Sequence, residues 1–147
     1  MSPPDHATGS CLCGAVTFEA KGVPLWTSHC HCRSCRRNTG AAVATLVGYT
    51  LDQATWKDVR TMYESSPGVL RGFCGSCGSP LSYEGEMCPG EVHIHISIFD
   101  EPDAFRPQRH VFFTQKIRWF DVHDRLPRHA GYSTDDAGAM SVAPSTD

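Results

Sequence analysis

Seven of the eight cysteines in this sequence fall into three short groups whose spacing suits metal binding. The groups are Cys11-Leu-Cys13, then Cys30-His-Cys32-Arg-Ser-Cys35, then Cys74-Gly-Ser-Cys77. Residues i and i+2 of an extended chain point to the same side, and a C-x-x-C turn brings two thiolates around one ion. The three groups therefore predict thiolate-rich sites, for which zinc is a usual ion.

The seven thiols can be divided between two ions in two ways. In one, the first and third groups form a closed four-thiolate site, and the second group holds an ion with its fourth position open. In the other, the two C-x-x-C pairs share an ion, which leaves Cys11, Cys13 and Cys30 for the second. The long separation of the two C-x-x-C pairs disfavours the second division without excluding it. A closed site is structural, whereas three ligands with an open position are the catalytic pattern.

Composition narrows the class of protein. The formal net charge is −3, which argues against nucleic acid as a partner, and no apolar run approaches the length of a membrane helix. The first nine residues contain no apolar segment of a secretory signal, so we expect a cytoplasmic protein in a reducing compartment. Grouped thiols there indicate metal ligands, and the alternative is a disulfide framework in an exported protein.

The elements that must position these groups are predicted to be mostly strands. Period-two alternation or β-branched content marks residues 15–20, 41–47, 92–98 and 110–114 as strands. A helical turn is expected at residues 33–38, closed by Gly40, and a second short helix at 52–56. The pattern predicts an all-β domain over residues 9–132, with a loose N-terminus at 1–8 and a disordered tail at 133–147.

The alternation at residues 92–98 places four aliphatic side chains on one strand face and His93, His95 and Ser97 on the other. A solvent-facing histidine pair is the expected arrangement. A third metal site at His93 and His95 is the alternative. Cys88 lies outside the cysteine groups, and we assign it no role from the sequence.

The cysteine groups occur within longer motifs. The first lies in Gly-Ser-Cys-Leu-Cys-Gly-Ala-Val from Gly9, and the second in Cys-His-Cys-Arg-Ser-Cys-Arg-Arg-Asn-Thr-Gly from Cys30. The third lies in Phe-Cys-Gly-Ser-Cys-Gly-Ser-Pro-Leu from Phe73. These motifs are followed by Pro-Gln-Arg-His, which ends at His110, then by Trp119, and then by Leu126-Pro127. With these motifs the chain resembles the glutathione-dependent formaldehyde-activating enzyme family, also called the CENP-V/Gfa domain family.

The resemblance implies an Mss4-like fold of β-hairpins and small sheets with two Zn²⁺ per chain. It implies a structural zinc on Cys11, Cys13, Cys74 and Cys77, and an active-site zinc on Cys30, Cys32 and Cys35. The activity it implies is that of a carbon–sulfur lyase on an adduct such as S-hydroxymethylglutathione. The partner would then be a small thiol such as glutathione.

Basic and imidazole groups surround the second cysteine group. Arg33, Arg36 and Arg37 are candidates to bind the carboxylates of glutathione, and a solvated basic face is the alternative. His31, together with His29, is a candidate proton relay, and a packed or hydrogen-bonded role is the alternative.

Two functions compete for this pattern. The first is an enzyme in which a substrate thiol enters the open position of the second zinc. The second is a non-catalytic zinc-stabilised binding or scaffold module, in which a histidine such as His110 closes that position. The exposed sheet edges expected of the fold are also compatible with a homodimer.

Overall fold

The computed structural model describes residues 2–133 and 139–140, which form mostly β structure. Within this part of the chain the strands are β1 His6–Ser10, β2 Thr17–Lys21, β3 Trp26–Cys30, β4 Ala44–Thr50, β5 Ala54–Lys57, β6 Thr61–Ser66, β7 Val69–Phe73, β8 Pro80–Gly85, β9 Glu91–His95, β10 His110–Val111, β11 Arg128–His129 and β12 Ala139–Met140. The helix α1 spans Arg33–Thr39, and 3-10 turns cover Ile96–Ile98, Pro102–Ala104 and Phe113–Gln115. The predicted all-β class with short helical turns is confirmed.

The chain divides into two compact units, and the first contains Met1–Trp26 and Leu46–Arg106. One of its sheets has the antiparallel order β1-β2-β5, and the other follows the order β4-β9-β8-β7-β6. Its core consists of aliphatic and aromatic side chains from both sheets and from their connections, among which Phe18, Tyr49 and Phe99 are buried. Cys11 and Cys74 are buried in the same core. The unit therefore carries the first and third cysteine groups on a packed β scaffold.

The second unit contains Thr27–Thr45 and Pro107–Asp147. In it, β10 pairs in parallel with β3 on one side and with β11 on the other. This pairing sets His110 opposite His29 in one direction and opposite Arg128 in the other. Residues far apart in the sequence are thereby brought next to the second cysteine group, which extends from the last residue of β3 into α1.

The predicted helical turn after Cys32 is confirmed. Helix α1 begins where the Cys32 side chain accepts a hydrogen bond from the Cys35 amide, which is the role of a helix N-cap. It ends at Gly40, whose amide donates to the Arg36 carbonyl from a left-handed backbone conformation. The N-cap and the C-cap thus account for the length of the helix.

The predicted second helix at residues 52–56 is wrong, because this segment contains the start of strand β5. Trp56 pairs with Phe18 and Thr55 with Glu19 in an antiparallel ladder between β5 and β2. Aromatic and β-branched side chains favour this extended conformation. The turn before the strand is closed by the Gln53 amide, which donates to the Thr50 carbonyl.

The predicted strand at 92–98 ends earlier than expected, and its histidines are not solvent-facing. Strand β9 stops at His95, and residues Ile96–Ile98 form a 3-10 turn. His93 and His95 are both buried, with exposed fractions of 7% and 2%. The aromatic rings of Trp26 and Tyr83 pack on His93 and cover the face that alternation assigned to solvent.

The ends of the chain differ from expectation at one point. Residues 1–8 were expected to be loose, but β1 begins at His6, where it pairs with Lys21 of β2. Backbone pairing and side-chain contacts such as Thr8 Oγ1 to Asp100 Oδ2 order these residues, so polarity was a poor guide there. The predicted disordered tail at 133–147 lies outside the described residues apart from Ser133 and the short strand β12.

Candidate functional site

The first candidate metal centre is formed by the first and third cysteine groups. Cys11 and Cys13 follow β1, and Cys74 and Cys77 follow β7. Their four Sγ atoms lie within 4.8 Å of one another. The two loops thus form one four-thiol cluster, as the first division of the ligands requires.

The spacing of these sulfur atoms fits a tetrahedral zinc site. Cys13 Sγ lies 3.6 Å from Cys11 Sγ and 3.8 Å from Cys74 Sγ. Zinc–sulfur bonds of about 2.3 Å in a tetrahedron separate the sulfurs by about 3.8 Å. The observed distances agree with that value and are far longer than the roughly 2 Å of a disulfide bond.

Backbone and hydroxyl donors stabilise thiolate charge in this cluster. The Val16 amide donates to Cys11 Sγ at 3.3 Å, and Ser79 Oγ lies 3.1 Å from Cys77 Sγ. The hydrogen bonds with Ser79 lower the pKa of Cys77 to about 5. Gly78, with φ of 79°, provides the left-handed turn that returns the chain from Cys77 to Ser79.

The second candidate metal centre contains Cys30, Cys32 and Cys35. Cys30 is the last residue of β3, Cys32 caps α1, and Cys35 lies in the first turn of that helix. Their Sγ atoms also lie within 4.8 Å of one another. Cys30 and Cys35 are buried, whereas Cys32 is half-buried and gives the cluster its more accessible side.

Three crowded thiols cannot all ionise without a cation. Interactions with Cys32 and Cys35, together with burial, raise the pKa of the Cys30 thiol. A divalent metal ion reverses this effect, because it offsets the repulsion between neighbouring thiolates. The donor set therefore fits a zinc ion chemically as well as geometrically.

In the described residues, no histidine or carboxylate atom joins this three-cysteine group within 4.8 Å of all three sulfurs. His110, the proposed closing ligand, instead donates or accepts hydrogen bonds on both of its nitrogens. Its Nδ1 lies 2.8 Å from His31 Nε2, and its Nε2 lies 3.0 Å from Asp124 Oδ2. The geometry therefore favours a three-ligand centre.

A chain of hydrogen bonds runs from Asp124 through His110 to His31. Arg128 donates to Asp124 Oδ1 at 3.0 Å and keeps the carboxylate charged. A charged carboxylate can only accept, so His110 Nε2 donates to Asp124 and His110 Nδ1 accepts from His31 Nε2. His31 Nδ1 is left as a lone-pair acceptor, and it is buried with no hydrogen-bond partner among the described residues.

The surroundings of His31 keep its imidazole neutral. The ring is fully buried, and Phe113 meets it edge-on at 5.1 Å between ring centroids. Burial, followed by the neighbouring charges of His110 and His29, lowers the pKa of His31 to about 4. His29 itself is hydrogen-bonded through Nδ1 to Thr45 Oγ1 at 2.8 Å and stacks on His110.

The three arginines of the second motif differ in their environments. Arg36 donates from Nε to the His31 carbonyl and from a terminal nitrogen to the Gln115 carbonyl, so it has a structural role. Arg33 and Arg37 are exposed, and they lie four residues apart on α1, which places them on one face. Of the three arginines predicted to bind carboxylates, Arg33 and Arg37 therefore remain the candidates.

Sequence reasoning missed three residues that support these centres. Asp124 and Arg128 orient the imidazoles, and Ser79 contacts both a thiolate and the Leu12 amide. Asp124 also accepts from the Leu126 amide, which forms a turn before the Leu-Pro pair. The acidic residue two positions before that pair was the signal for this turn.

Comparisons with known proteins agree with this architecture. Of the solved structures, a crystal structure of a Rhodobacter sphaeroides protein is similar, with a TM-score of 0.54 and 25% sequence identity over 63% of this chain and 87% of that chain. No curated protein sequence matches. Within the described residues no helix is both long and apolar enough to cross a membrane. The family of the glutathione-dependent formaldehyde-activating enzyme matches residues 6–115, which is most of the chain. The chain therefore belongs to the glutathione-dependent formaldehyde-activating enzyme family.

Proposed function

We propose that this protein is a zinc-dependent carbon–sulfur lyase that forms or cleaves an S-hydroxymethylglutathione-like adduct. The observation that carries the proposal is the group of Cys30, Cys32 and Cys35, whose sulfurs converge without a fourth protein ligand among the described residues. Family membership supports the use of glutathione and of formaldehyde. The four-cysteine centre is assigned a structural role because its coordination is complete.

A zinc ion held by the three thiolates would lower the pKa of a substrate thiol and fix the position of its sulfur. In the cleavage direction the carbon–sulfur bond breaks, its electron pair stays on sulfur, and the hydroxyl proton leaves as the carbonyl forms. In the reverse direction the thiolate sulfur adds to the carbonyl carbon, and the oxygen takes up a proton. Both directions need a group that moves a proton at the adduct oxygen.

We assign that proton transfer to His31. Its neutral ring presents Nδ1 as an acceptor, because the other nitrogen is committed to His110. Asp124 fixes the tautomer of His110 and, through it, the tautomer of His31. The hydrogen-bonded chain that ends in this carboxylate therefore orients Nδ1 as the acceptor, and the lowered pKa of His31 means that a proton taken up there is readily released again.

Arg33 and Arg37 are proposed to bind the two carboxylates of glutathione. Both guanidinium groups are exposed on the helix that begins at Cys32. A guanidinium pairs with a carboxylate through two parallel hydrogen bonds, which gives orientation as well as affinity. The rest of the tripeptide would then be held while its sulfur reaches the cysteine centre.

The deciding experiment measures zinc per chain and then follows zinc coordination by X-ray absorption while glutathione is added. We expect two zinc ions, one with four sulfur ligands and one that gains a sulfur on addition of glutathione. The activity is then measured as the NMR exchange rate between formaldehyde, glutathione and their adduct. Cys32→Ser is expected to abolish the enzymatic part of that exchange.

Two zinc ions with no response to glutathione would favour the non-catalytic zinc-stabilised module. A nitrogen ligand on the second zinc of the thiol-free protein would contradict the three-cysteine assignment. Ser34→Ala is the matched control for Cys32→Ser, because Ser34 lies in the same segment and is exposed.

A further inference from the structure

Cys88, Glu91 and His93 form a further group of potential metal ligands in the first unit. One ligand atom from each side chain lies within 4.8 Å of the other two. Cys88 lies in the connection between β8 and β9, and the other two residues belong to β9. The lyase chemistry proposed above uses none of these three side chains.

The local fold explains why the three side chains converge. Glu91 and His93 are two residues apart on a strand, so they share a face. The Cys88 amide donates to the Gly85 carbonyl, and the Glu91 amide donates to the Cys88 carbonyl. Gly90, with φ of 77°, permits the tight reversal that brings Cys88 back over this face.

The imidazole of His93 is held in place before any ligand binds. Tyr83 stacks on it at 5.1 Å and Trp26 meets it edge-on at 4.5 Å, both measured between ring centroids. Its Nε2 lies 2.8 Å from Glu91 Oε2. The side chain of His93 is 8% exposed and that of Glu91 is 27% exposed, so the cluster is shielded on one side and open on the other.

We propose that Cys88, Glu91 and His93 bind a divalent transition-metal ion, with Zn²⁺ as the expected ion, at a site separate from the two cysteine centres. Thiolate, carboxylate and imidazole are the three ligand types that proteins offer to zinc. A site containing thiolate and imidazole disfavours Mg²⁺ and Ca²⁺, which prefer oxygen ligands. Three protein ligands leave one coordination position for water or another small ligand.

Binding at this site requires Glu91 and His93 to move apart. The Glu91 oxygen and the His93 nitrogen must separate from 2.8 Å to about 3.3 Å, the edge of a tetrahedron with zinc bonds of roughly 2 Å. Glu91 can supply this movement, because its carboxylate lies at the partly exposed side of the group. The ion replaces the hydrogen bond between the two side chains, and the Cys88 thiol releases its proton to solvent.

A simpler arrangement makes the opposite prediction. If Glu91 and His93 form only a hydrogen-bonded pair beside an unused thiol, no metal binds and Cys88 can be replaced without consequence for metal content. The two cases therefore differ in metal stoichiometry and in the presence of a sulfur–metal bond.

The test uses the full chain with zinc in the two cysteine centres only, as checked by a content of two zinc ions per chain, and Co²⁺ is then added. Equilibrium dialysis counts the added ions, and the thiolate-to-cobalt charge-transfer absorption reports sulfur coordination. We expect the wild-type protein to bind one more Co²⁺ than the Cys88→Ser variant and to show a sulfur band that this variant lacks. Glu91→Gln is expected to weaken binding by about tenfold or more, since a charged ligand is lost.

Met87→Ala is the matched control, because Met87 is an exposed residue of the same loop. Circular dichroism checks that each variant is folded, and replacement of the half-buried Cys88 by serine is conservative. Equal Co²⁺ stoichiometry and equal sulfur absorption in wild type and Cys88→Ser would overturn the proposal. So would the absence of Co²⁺ binding in wild type prepared with two zinc ions per chain. These outcomes do not depend on whether the protein is a lyase.

Discussion

The Nε2 atom of His31 lies 2.8 Å from the Nδ1 atom of His110, and both imidazoles are buried. The direction of this hydrogen bond is set by Asp124 on the far side of His110. The tautomer of His31 is therefore determined by the carboxylate of Asp124, which His31 does not contact.

This arrangement predicts the effect of Asp124→Asn. The new amide can donate to His110 Nε2, which reverses both tautomers and places a proton on His31 Nδ1. We expect the adduct exchange rate to fall by about tenfold to a hundredfold, while the zinc content is unchanged. NMR exchange measures the rate, and imidazole nitrogen chemical shifts report the tautomers. Asp121→Asn, an exposed change in the same segment, should have neither effect. An unchanged rate with reversed tautomers would remove His31 from the mechanism.

A second prediction concerns Ser79, which contacts a thiolate of the four-cysteine centre. Ser79→Ala removes the hydroxyl partner of Cys77 Sγ and of the Leu12 amide. We expect the affinity of this centre for zinc to fall by about tenfold to a hundredfold, because such contacts orient the Cys77 ligand and stabilise the charge of its thiolate. Competition with a chromogenic chelator measures the loss. The exposed Ser76 gives the matched control, Ser76→Ala, and equal affinities in the two variants would contradict the assigned role.

We expect the arginines of α1 to differ in role: Arg33 and Arg37 bind glutathione, and Arg36 stabilises the fold. Arg33→Ala and Arg37→Ala are expected to raise KM for glutathione by about tenfold each and to leave the melting temperature unchanged, because both side chains are exposed. Arg36→Ala should lower the melting temperature, because its guanidinium donates to two backbone carbonyls. Steady-state kinetics and thermal unfolding check the three variants together. A large KM effect from Arg36→Ala alone would reverse this assignment.

Tyr49 gives a prediction for alkaline pH. Its hydroxyl is buried in β4 without a hydrogen-bond partner among the described residues, and burial raises its pKa to about 12. The folded-state pKa exceeds the unfolded value of about 10, so stability is complete below that pH and declines as pH rises through about 12. We expect wild type to lose about 2–3 kcal/mol over this range from Tyr49, and Tyr49→Phe to lose none of it.

Urea unfolding at neutral and alkaline pH measures this difference. At neutral pH, Tyr49→Phe should be equal to wild type or more stable by about 1 kcal/mol, because an unpaired buried hydroxyl is removed. Tyr63→Phe is the control, since Tyr63 is exposed. Parallel curves of stability against pH for wild type and Tyr49→Phe would show that the hydroxyl is ionised freely in the folded protein.

The thiol groups could be predicted from the sequence because their geometry is local. Cys30, Cys32 and Cys35 lie within one strand end and one helical turn, so spacing alone brings their sulfurs together. The pairing of the first cysteine group with the third joins residues far apart in the sequence, and the spacing of the cysteines did not decide between the two divisions of the ligands. The structure resolves it through two loops that follow β1 and β7 of the same unit.

The imidazole network and the buried histidines could not be predicted in the same way. His110 reaches His31 only through parallel pairing of β10 with β3, a connection that leaves no periodic signal in the sequence. The burial of His93 follows from two aromatic rings on its face, whereas alternation describes a single strand in isolation. Period-two patterns therefore identified strands but assigned the wrong environment to the histidines.

The two cysteine centres differ in how much of the chain must fold before their sulfur atoms come together. The three cysteines of the second centre lie within six consecutive positions, so an ion can gather them at little cost in chain entropy, before any sheet exists. The contact between Cys13 and Cys74 spans 61 positions, and it requires a long loop to close first. The second group could therefore gather an ion early during synthesis, whereas His110 and Asp124 are synthesised well after Cys35. An ion in the four-cysteine centre, by contrast, would require the loops that follow β1 and β7 to have come together first.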